Sequence, residues 1–284
     1  MSKRTLPSVC VVMLLVLAAS LCGCAGAGAA GLAKPHTLTV LTYNVLASEH
    51  QDAQRFPALF RIIEQSQADI LCLQEVLPGF LDRLRKQPWF GERYVAPKVD
   101  GLDAIANGNY ICSRYEVDRV EVVDHQSPQG RESIIVHLIV DGQPLAVATC
   151  HLESLLRDGP VRAKQLDDVF GRLEKVGDAL FAGDFNFGDG EQPDSAHLAK
   201  DYADAWLQLH PEDPGFTWDI EASDMAARGS FVDEPSRRID RILVRSKKWL
   251  PHSIEIVGAE SIDSSGRLFP SDHFGLLGTL RAAN

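Results

Sequence analysis

The chain reads as a mixed α/β domain, two packed sheets flanked by helices. Three observations carry that expectation. Apolar runs of strand length recur from Thr37 to Leu280, two stretches carry helical apolar spacing, and Gly, Pro and Asp-Gly punctuation separates them.

Thr37–Val45 reads as a strand whose polar end is Asn44. Residues 54–67 place Phe56, Leu59, Phe60 and Ile63 on one helical face. Ala68–Val76 reads as a buried strand ending at Glu75. Pro78 then opens a short helix carrying Phe80, Leu81 and Leu84, where its missing N–H is harmless. Ile105–Ser113, Glu116–Val123 and Ser133–Val140 read as successive strands. Asp141-Gly142 signals a hairpin to Pro144–His151. Residues 160–176 form the second helix, with Leu166, Val169, Phe170 and Leu173 on one face, and Asp178–Phe185 is the next strand. A long irregular region, Gly188 to Pro235, holds one short helical stretch near Ala203–Leu209; a loop of this length in a domain points to function. Three strands close the chain: Arg238–Val244, His252–Val257 and Phe274–Leu280.

The N-terminus stands apart. Lys3 and Arg4 precede an apolar stretch, Val9 to Leu21, that is too short to span a bilayer and has the layout of a secretory signal. It ends in Leu21-Cys22-Gly23-Cys24, which resembles a bacterial lipoprotein processing site with Cys24 as the lipid-bearing residue. The apolar Cys22 departs from the usual residue types there, and an ordinary cleaved signal is the alternative. Ala25 after the cysteine resembles the outer-membrane sorting pattern, which implies an exported protein anchored at the periplasmic face of that membrane. The expected organisation is a signal at 1–23, a lipid-anchored Ala/Gly-rich tether at 24–36 and a catalytic domain at 37–284.

Formal charge is −11, and −13 without the leader, since Lys3 and Arg4 are its only charged residues. Such a surface repels polyanions at long range and disfavours non-specific duplex binding. Cys72, Cys112 and Cys150 lie inside apolar runs at spacings that match neither a disulfide framework nor a zinc pattern. Buried thiols are expected, with a bridge open to any pair that adjacent strands bring together.

Two polar segments interrupt apolar strands: Gly183-Asp184-Phe185-Asn186 and Ser271-Asp272-His273. Buried polar groups are costly unless paired, so strand ends of this kind point to a site. With Asn44 and Glu75 they make a set suited to hydrolysing a phosphate diester. That reaction needs a cation to offset oxygen charge, a group to orient water and donors to hold the phosphate. Mg²⁺ and Mn²⁺ select oxygen ligands and keep several waters, so one or two carboxylates and an amide oxygen suffice.

In these residues the chain resembles the endonuclease/exonuclease/phosphatase superfamily. Asn44, Glu75, His151, Asp184 with Asn186, Asp240, and Asp272 with His273 occur in the family's order. Longer strings, among them Leu73-Gln74-Glu75-Val76, His151-Leu152-Glu153-Ser154, Phe216-Thr217-Trp218-Asp219 and Phe269 through Leu277, are most similar to its tyrosyl-DNA phosphodiesterase 2 group. The resemblance implies a four-layer α/β/β/α sandwich with the site at one rim of the paired sheets. It implies Glu75, Asn44 and Asp272 at a metal, Asp184 and Asn186 at the attacking water, His273 and His151 on the phosphate, and Asp240 orienting His273. Leu46 stands where the family often has an acid, which favours one ion, Mg²⁺ or Mn²⁺, held chiefly by Glu75 and Asp272. Arg131 would bind phosphate or pair with an acid. Trp218 would pack a base or aromatic leaving group, or anchor its loop. Glu153 has no evident task.

The implied activity is phosphodiester hydrolysis, with nucleic-acid ends, single-stranded nucleic acid included, as the substrate class. Export would keep such an enzyme away from intracellular protein–DNA adducts. The alternatives are a lipid or small-molecule phosphodiesterase, as sphingomyelinases and inositol phosphatases are, and a catalytically silent binding lipoprotein. The membrane is the one partner expected besides substrate; no protein partner is inferred.

Overall fold

The computed structural model describes residues 36–99 and 102–283. The leader, Cys24 and nearly all of the tether lie outside the described residues. The elements in chain order are β1 (Thr37–Asn44), α1 (Asp52–Ser66), β2 (Ile70–Gln74), α2 (Pro78–Arg85), α3 (Pro88–Arg93), β3 (Lys98–Val99), β4 (Leu102–Asp103), β5 (Ile105–Ala106), β6 (Asn109–Ser113), β7 (Glu116–Asp124), β8 (Glu132–Val140), β9 (Gln143–His151), α4 (Gly159–Leu173), β10 (Ala179–Asp184), β11 (Ala203–Asp204), α5 (Ala205–Leu209), α6 (Asp224–Gly229), β12 (Asp240–Arg245), β13 (Trp249–Val257) and β14 (Gly275–Ala282).

Two six-stranded mixed sheets pack face to face, in the orders β13-β14-β1-β2-β6-β5 and β11-β12-β10-β9-β8-β7. Each has a parallel pair near its centre, β1 with β2 and β9 with β10, joined through α1 and α4 respectively. Leu38, Val40, Ile70 and Cys72 meet Val136, Val147, Leu180 and Ile242 between the sheets. A second core lies under α1–α3, around Leu41, Tyr43, Phe56 and Phe80, and a third under α4, around Leu166, Phe170 and Phe181. These layers are the expected α/β/β/α sandwich.

Strand periodicity places the site. Side chains alternate faces, so Leu38 and Val40 between the sheets put Thr42 and then Asn44 on the same face. By the same parity Val147 leads to His151, Leu180 to Asp184, and Ile242 back to Asp240. Register completes the placement: Asp184 lies directly across from His151 on one side and from Asp240 on the other. The polar groups therefore gather where the apolar inter-sheet core ends.

Two local expectations change, and the pairing left open for the cysteines is answered. Ile105–Ser113 is two strands, because Asn107 and Gly108 both have positive φ (45° and 80°) and turn the chain back on itself. The Asn-Gly pair is itself a hairpin signal. The irregular region contains α6 and a two-residue strand, β11. The three cysteines are buried and free, each in a different core: Cys72 between the sheets, Cys112 under α1–α3 and Cys150 under α4. Strand adjacency brings Cys112 opposite Leu71, so it faces away from Cys72, and no bridge forms.

Candidate active site

A cavity of about 190 Å³ opens at the rim, lined by Glu75, Arg131, His151, Asp184, Asn186, Trp218, Asp272 and His273, with Phe231, Glu234 and Arg237 at its edge. Three non-glycine residues beside it, Leu46, Glu75 and Asn186, adopt left-handed φ of 63°, 59° and 58°. Such conformations cost about 1 kcal/mol or more each and persist only where surrounding contacts impose them. At Glu75 the imposing contact is the Asn107–Gly108 turn. A Cβ on Gly108 would lie 3.3 Å from the Glu75 Cα, and Val76 N donates to the Gly108 carbonyl at 2.8 Å.

Asp184 is the centre. Its carboxylate is fully buried. Oδ1 accepts the Asn186 backbone N–H at 2.9 Å; Oδ2 accepts from Asn44 Nδ2 at 3.0 Å. Oδ2 also lies 3.4 Å from His151 Nε2 and 3.8 Å from His273 Nε2. The two histidines are buried alike but charged differently. Burial pushes His151 down to about 3, against the pull of Asp184 and with Arg131 and His273 reinforcing it. Burial also disfavours charge on His273, yet Asp240, Asp184 and Asp272 together raise it to about 10. His273 is thus an imidazolium and His151 a neutral ring. His273 Nδ1 donates to Asp240 Oδ2 at 2.9 Å.

One nitrogen of His151 is hydrogen-bonded: Arg131 Nη1 lies 3.1 Å from Nδ1, and Nε2 lies 3.4 Å from Asp184 Oδ2. A neutral ring accepts at Nδ1 and donates from Nε2 in this setting. His151 thus accepts from Arg131 at Nδ1, while its Nε2 N–H lies near Asp184 without a hydrogen bond to it and stays available on the cavity wall. Asn44 turns its Nδ2 to Glu75 Oε1 (3.1 Å) and Asp184, while its Oδ1 accepts the Leu46 N–H. It holds two carboxylates in place, and its Oδ1, bonded to the Leu46 N–H, keeps a second lone pair. Asn186 Nδ2 donates to the Leu152 carbonyl at 2.9 Å, leaving one amide N–H toward the cavity.

Trp218 is only 8 % exposed and offers no open face for a base. Its ring meets His273 at 5.1 Å and 63°, and packs with Ala226 and Ile239. Of the two alternatives, loop anchoring is the one its burial supports. Arg131 forms no ion pair with an acid among the described residues; Gln129 Oε1 and His151 hold it on the cavity wall.

Two places could hold a cation. Asp184, Asp240 and His273 bring ligand-type atoms within 4.8 Å of one another. That trio is closed by the His273–Asp240 hydrogen bond, and an imidazolium has no lone pair to give. Glu75 and Asp272, which both line the cavity, are the second place. Glu75 is partly open to the cavity, with Oε2 accepting the Ala47 N–H at 2.6 Å. Burial raises the Asp272 carboxyl above its usual range and the charge of Glu75 adds to this, while His273 opposes it. Glu75, Asp184 and Asp272 line the cavity, with Asp240 behind His273, so acidic groups outnumber Arg131 and His273 there, a setting that favours a cation.

Sequence reasoning missed several contributors. Arg55 is fully buried and donates to the carbonyls of Ser48, Val45 and Pro270, tying the loop after β1 to the segment before Asp272. An arginine one turn from Leu59 on the buried face of an amphipathic helix was the available signal. Thr217 Oγ1 accepts the N–H groups of both Ile239 and Asp240, and its carbonyl accepts Phe274 N, so it fixes both ends of the Asp240–His273 pair. Phe231 and Val232, 45 % and 90 % exposed, form an apolar tip at the cavity mouth. Glu234 supports that tip by accepting the Phe231 N–H and pairing with Arg237.

This fold and rim define a known class. The chain belongs to the Endonuclease/Exonuclease/phosphatase family, which it matches over residues 41–273. It is similar to tyrosyl-DNA phosphodiesterase 2 of Rattus norvegicus, 30 % identical over 224 residues, covering 75 % of this chain and 58 % of that protein. It thus spans less than two thirds of the relative's length. Among solved structures, Danio rerio TDP2 complexed with single-strand DNA product superposes with a TM-score of 0.72 at 26 % identity, covering 86 % of this chain and 99 % of that one. The endonuclease/exonuclease/phosphatase of Bacteroides vulgatus, at 20 % identity and a TM-score of 0.66 over 87 % of this chain and all of that one, shares the fold.

Proposed function

We propose that the protein is a divalent-metal-dependent phosphodiesterase acting on phosphate esters at nucleic-acid ends. The observation that carries this reading is the convergence on one cavity of the imidazolium His273, the buried Asp184 and the carboxylates Glu75 and Asp272. Likeness to tyrosyl-DNA phosphodiesterase 2, including a relative seen with single-strand DNA product, supports the substrate class.

Each residue has a physical task. Glu75 and Asp272 would hold one Mg²⁺ or Mn²⁺, which when bound offsets phosphate charge and lowers the pKa of water. His273, kept cationic by Asp240, donates from Nε2 to a non-bridging oxygen as charge builds there. Asp184 Oδ2 accepts a hydrogen bond from the attacking water and orients it toward phosphorus. Asn44 holds that carboxylate so that little reorganisation is needed during reaction. The free amide N–H of Asn186 and the Arg131 guanidinium bind the remaining phosphate oxygens. Water adds to phosphorus, the P–O bond to the leaving group breaks, and a monoester and an alcohol result.

The leader pattern and Cys24 support an exported, lipid-anchored enzyme at the periplasmic face of the outer membrane. That location and the exposed Phe231–Val232 tip favour a second reading, hydrolysis of a phospholipid head group. A silent binding protein has little support, since it would have no need to keep four carboxylates and two histidines together. Turnover of a 5′-aryl-blocked single-stranded oligonucleotide against phosphatidylcholine vesicles, each with Mg²⁺ or EDTA, separates these readings. We expect Mg²⁺-dependent cleavage of the oligonucleotide; turnover of vesicles alone would transfer the assignment to the lipid reading, and turnover in EDTA would sink both.

A further inference from the structure

We propose that Glu153 is a positioning residue that clamps Arg131 against the substrate phosphate, a role that rests on the phosphodiesterase reading above. Glu153 follows β9 two residues after His151 and is fully buried. It makes no ion pair among the described residues, and its Oε2 has no protein partner. Burying a carboxyl with an unpartnered oxygen is unfavourable, so its presence calls for something it holds. Its one side-chain hydrogen bond among the described residues is to the loop that carries Arg131: Oε1 accepts the Gln129 backbone N–H at 2.8 Å.

Gln129 passes the constraint on. Its Oε1 accepts Arg131 Nε at 3.1 Å and Ser154 N at 3.1 Å, and its Nε2 donates to Ser154 Oγ at 2.9 Å. Its backbone is held by Glu153 and its side chain by the next residue, Ser154. Arg131 N is fixed in turn by Ser127 Oγ at 2.9 Å. Of the guanidinium, Nε and Nη1 are engaged, and Nη2 has no partner among the described residues on the cavity wall. The other side of Glu153 is anchored in the helical layer. Its N–H donates to Gln165 Oε1 at 3.1 Å and its carbonyl accepts Arg162 Nη1 at 3.0 Å, with Arg162 itself bound to Asp194 at 2.7 Å. A continuous path of hydrogen bonds thus runs from α4 through Glu153 and Gln129 to Arg131. An unrestrained arginine loses rotamer freedom on binding, and the clamp removes that loss in advance. Burial disfavours the charge on Arg131, and Asp184, then Glu75, then Glu153 oppose that effect.

The test uses bis(4-nitrophenyl) phosphate turnover with Mg²⁺, and inorganic phosphate binding by calorimetry as a readout independent of turnover. Arg131→Ala should lower kcat/KM about 10- to 100-fold, the effect of removing one charge-assisted hydrogen bond. Glu153→Ala should fall within about threefold of that value, and the double variant should be no worse than Arg131→Ala alone. Glu153→Gln keeps an oxygen for the Gln129 N–H and should stay within about threefold of the unmodified protein. Phosphate affinity should follow the same order. A folded Glu153→Ala variant with undiminished kcat/KM, or losses that multiply in the double variant, would overturn the proposal. If Glu153→Ala melts without a cooperative transition, Gln129→Ala carries the test, with the same non-additivity expected and full activity counting against it. An unmodified protein that never turns over the diester would refute the phosphodiesterase reading instead, and phosphate binding would then decide the positioning role by itself.

Discussion

Replacing Asp240 with asparagine asks why one buried histidine in this cavity is charged and the other is not. His151 and His273 are 4 % and 5 % exposed, so burial alone does not separate them. The difference lies in their neighbours: Arg131 beside His151, which sits at about 3, and Asp240 beside His273, raised to about 10. The amide keeps an oxygen that can accept from Nδ1 but removes the charge, and burial should then leave His273 neutral at pH 7. The substitution thereby deprives the developing phosphate charge of a cationic donor, worth about 2–4 kcal/mol, or about 30- to 1,000-fold in kcat. Initial rates on bis(4-nitrophenyl) phosphate, with ring-proton NMR of His273, measure both quantities. Stability should change in step. A raised pKa stabilises the fold fully below the unfolded value of 6.5, and that contribution is lost as pH climbs through about 10. The Asp240→Asn variant should therefore show a flatter decline in Tm across that interval. A variant within about threefold of normal kcat at pH 7.5, or a native His273 that titrates near 6.5, would refute the reasoning.

Backbone packing, loop anchoring and the cavity mouth can each be probed by one substitution. A Cβ at Gly183 would sit 2.3 Å from the Cys150 carbonyl oxygen and 2.8 Å from Cys150 N, backbone atoms that cannot step aside; Gly183→Ala should cost about 2–4 kcal/mol and lower Tm by about 5–15 °C in a melt, and an unchanged Tm would contradict it. Arg55→Met leaves the buried carbonyls of Val45 and Pro270 without donors, so chemical denaturation should show a decrease of about 3–5 kcal/mol; less than about 1 kcal/mol would deny Arg55 its role in joining the two segments. Phe231→Ala should raise KM for an aryl diester about 3- to 10-fold and leave kcat nearly unchanged, because the tip lies at the cavity mouth; an equal drop in kcat would place the ring at the reacting centre.

The strand ends were legible in the sequence, because a carboxylate or amide that closes an apolar run of period two must emerge at the rim of the sheet. Asn44, Glu75, Asp184 and Asp272 stand out in that way, and strand parity explains why Asn44 and Asp184 share one cavity although 140 residues separate them. The tasks of individual side chains were not legible, because they depend on cross-strand register. That Asp184 lies opposite both His151 and Asp240 decides which histidine is neutral and which is charged, and no local pattern encodes it. Support from residues outside the strands was hidden for a similar reason: Arg55, Thr217 and Gln129 act through backbone groups of Pro270, Ile239 and Ser154, distant in sequence. The Asn107–Gly108 turn was readable from its dipeptide, but its consequence for the backbone of Glu75 appears only once the strands are paired.

In the proposed mechanism one divalent ion at Glu75 and Asp272 enables this cavity to cleave a phosphodiester. Mn²⁺ binding by electron paramagnetic resonance, read beside bis(4-nitrophenyl) phosphate turnover on the same samples, tests this most directly. One ion per chain is predicted, with turnover proportional to occupancy and both abolished in the Glu75→Gln/Asp272→Asn double variant. Full Mn²⁺ occupancy in that variant, or turnover that persists in EDTA, would contradict it.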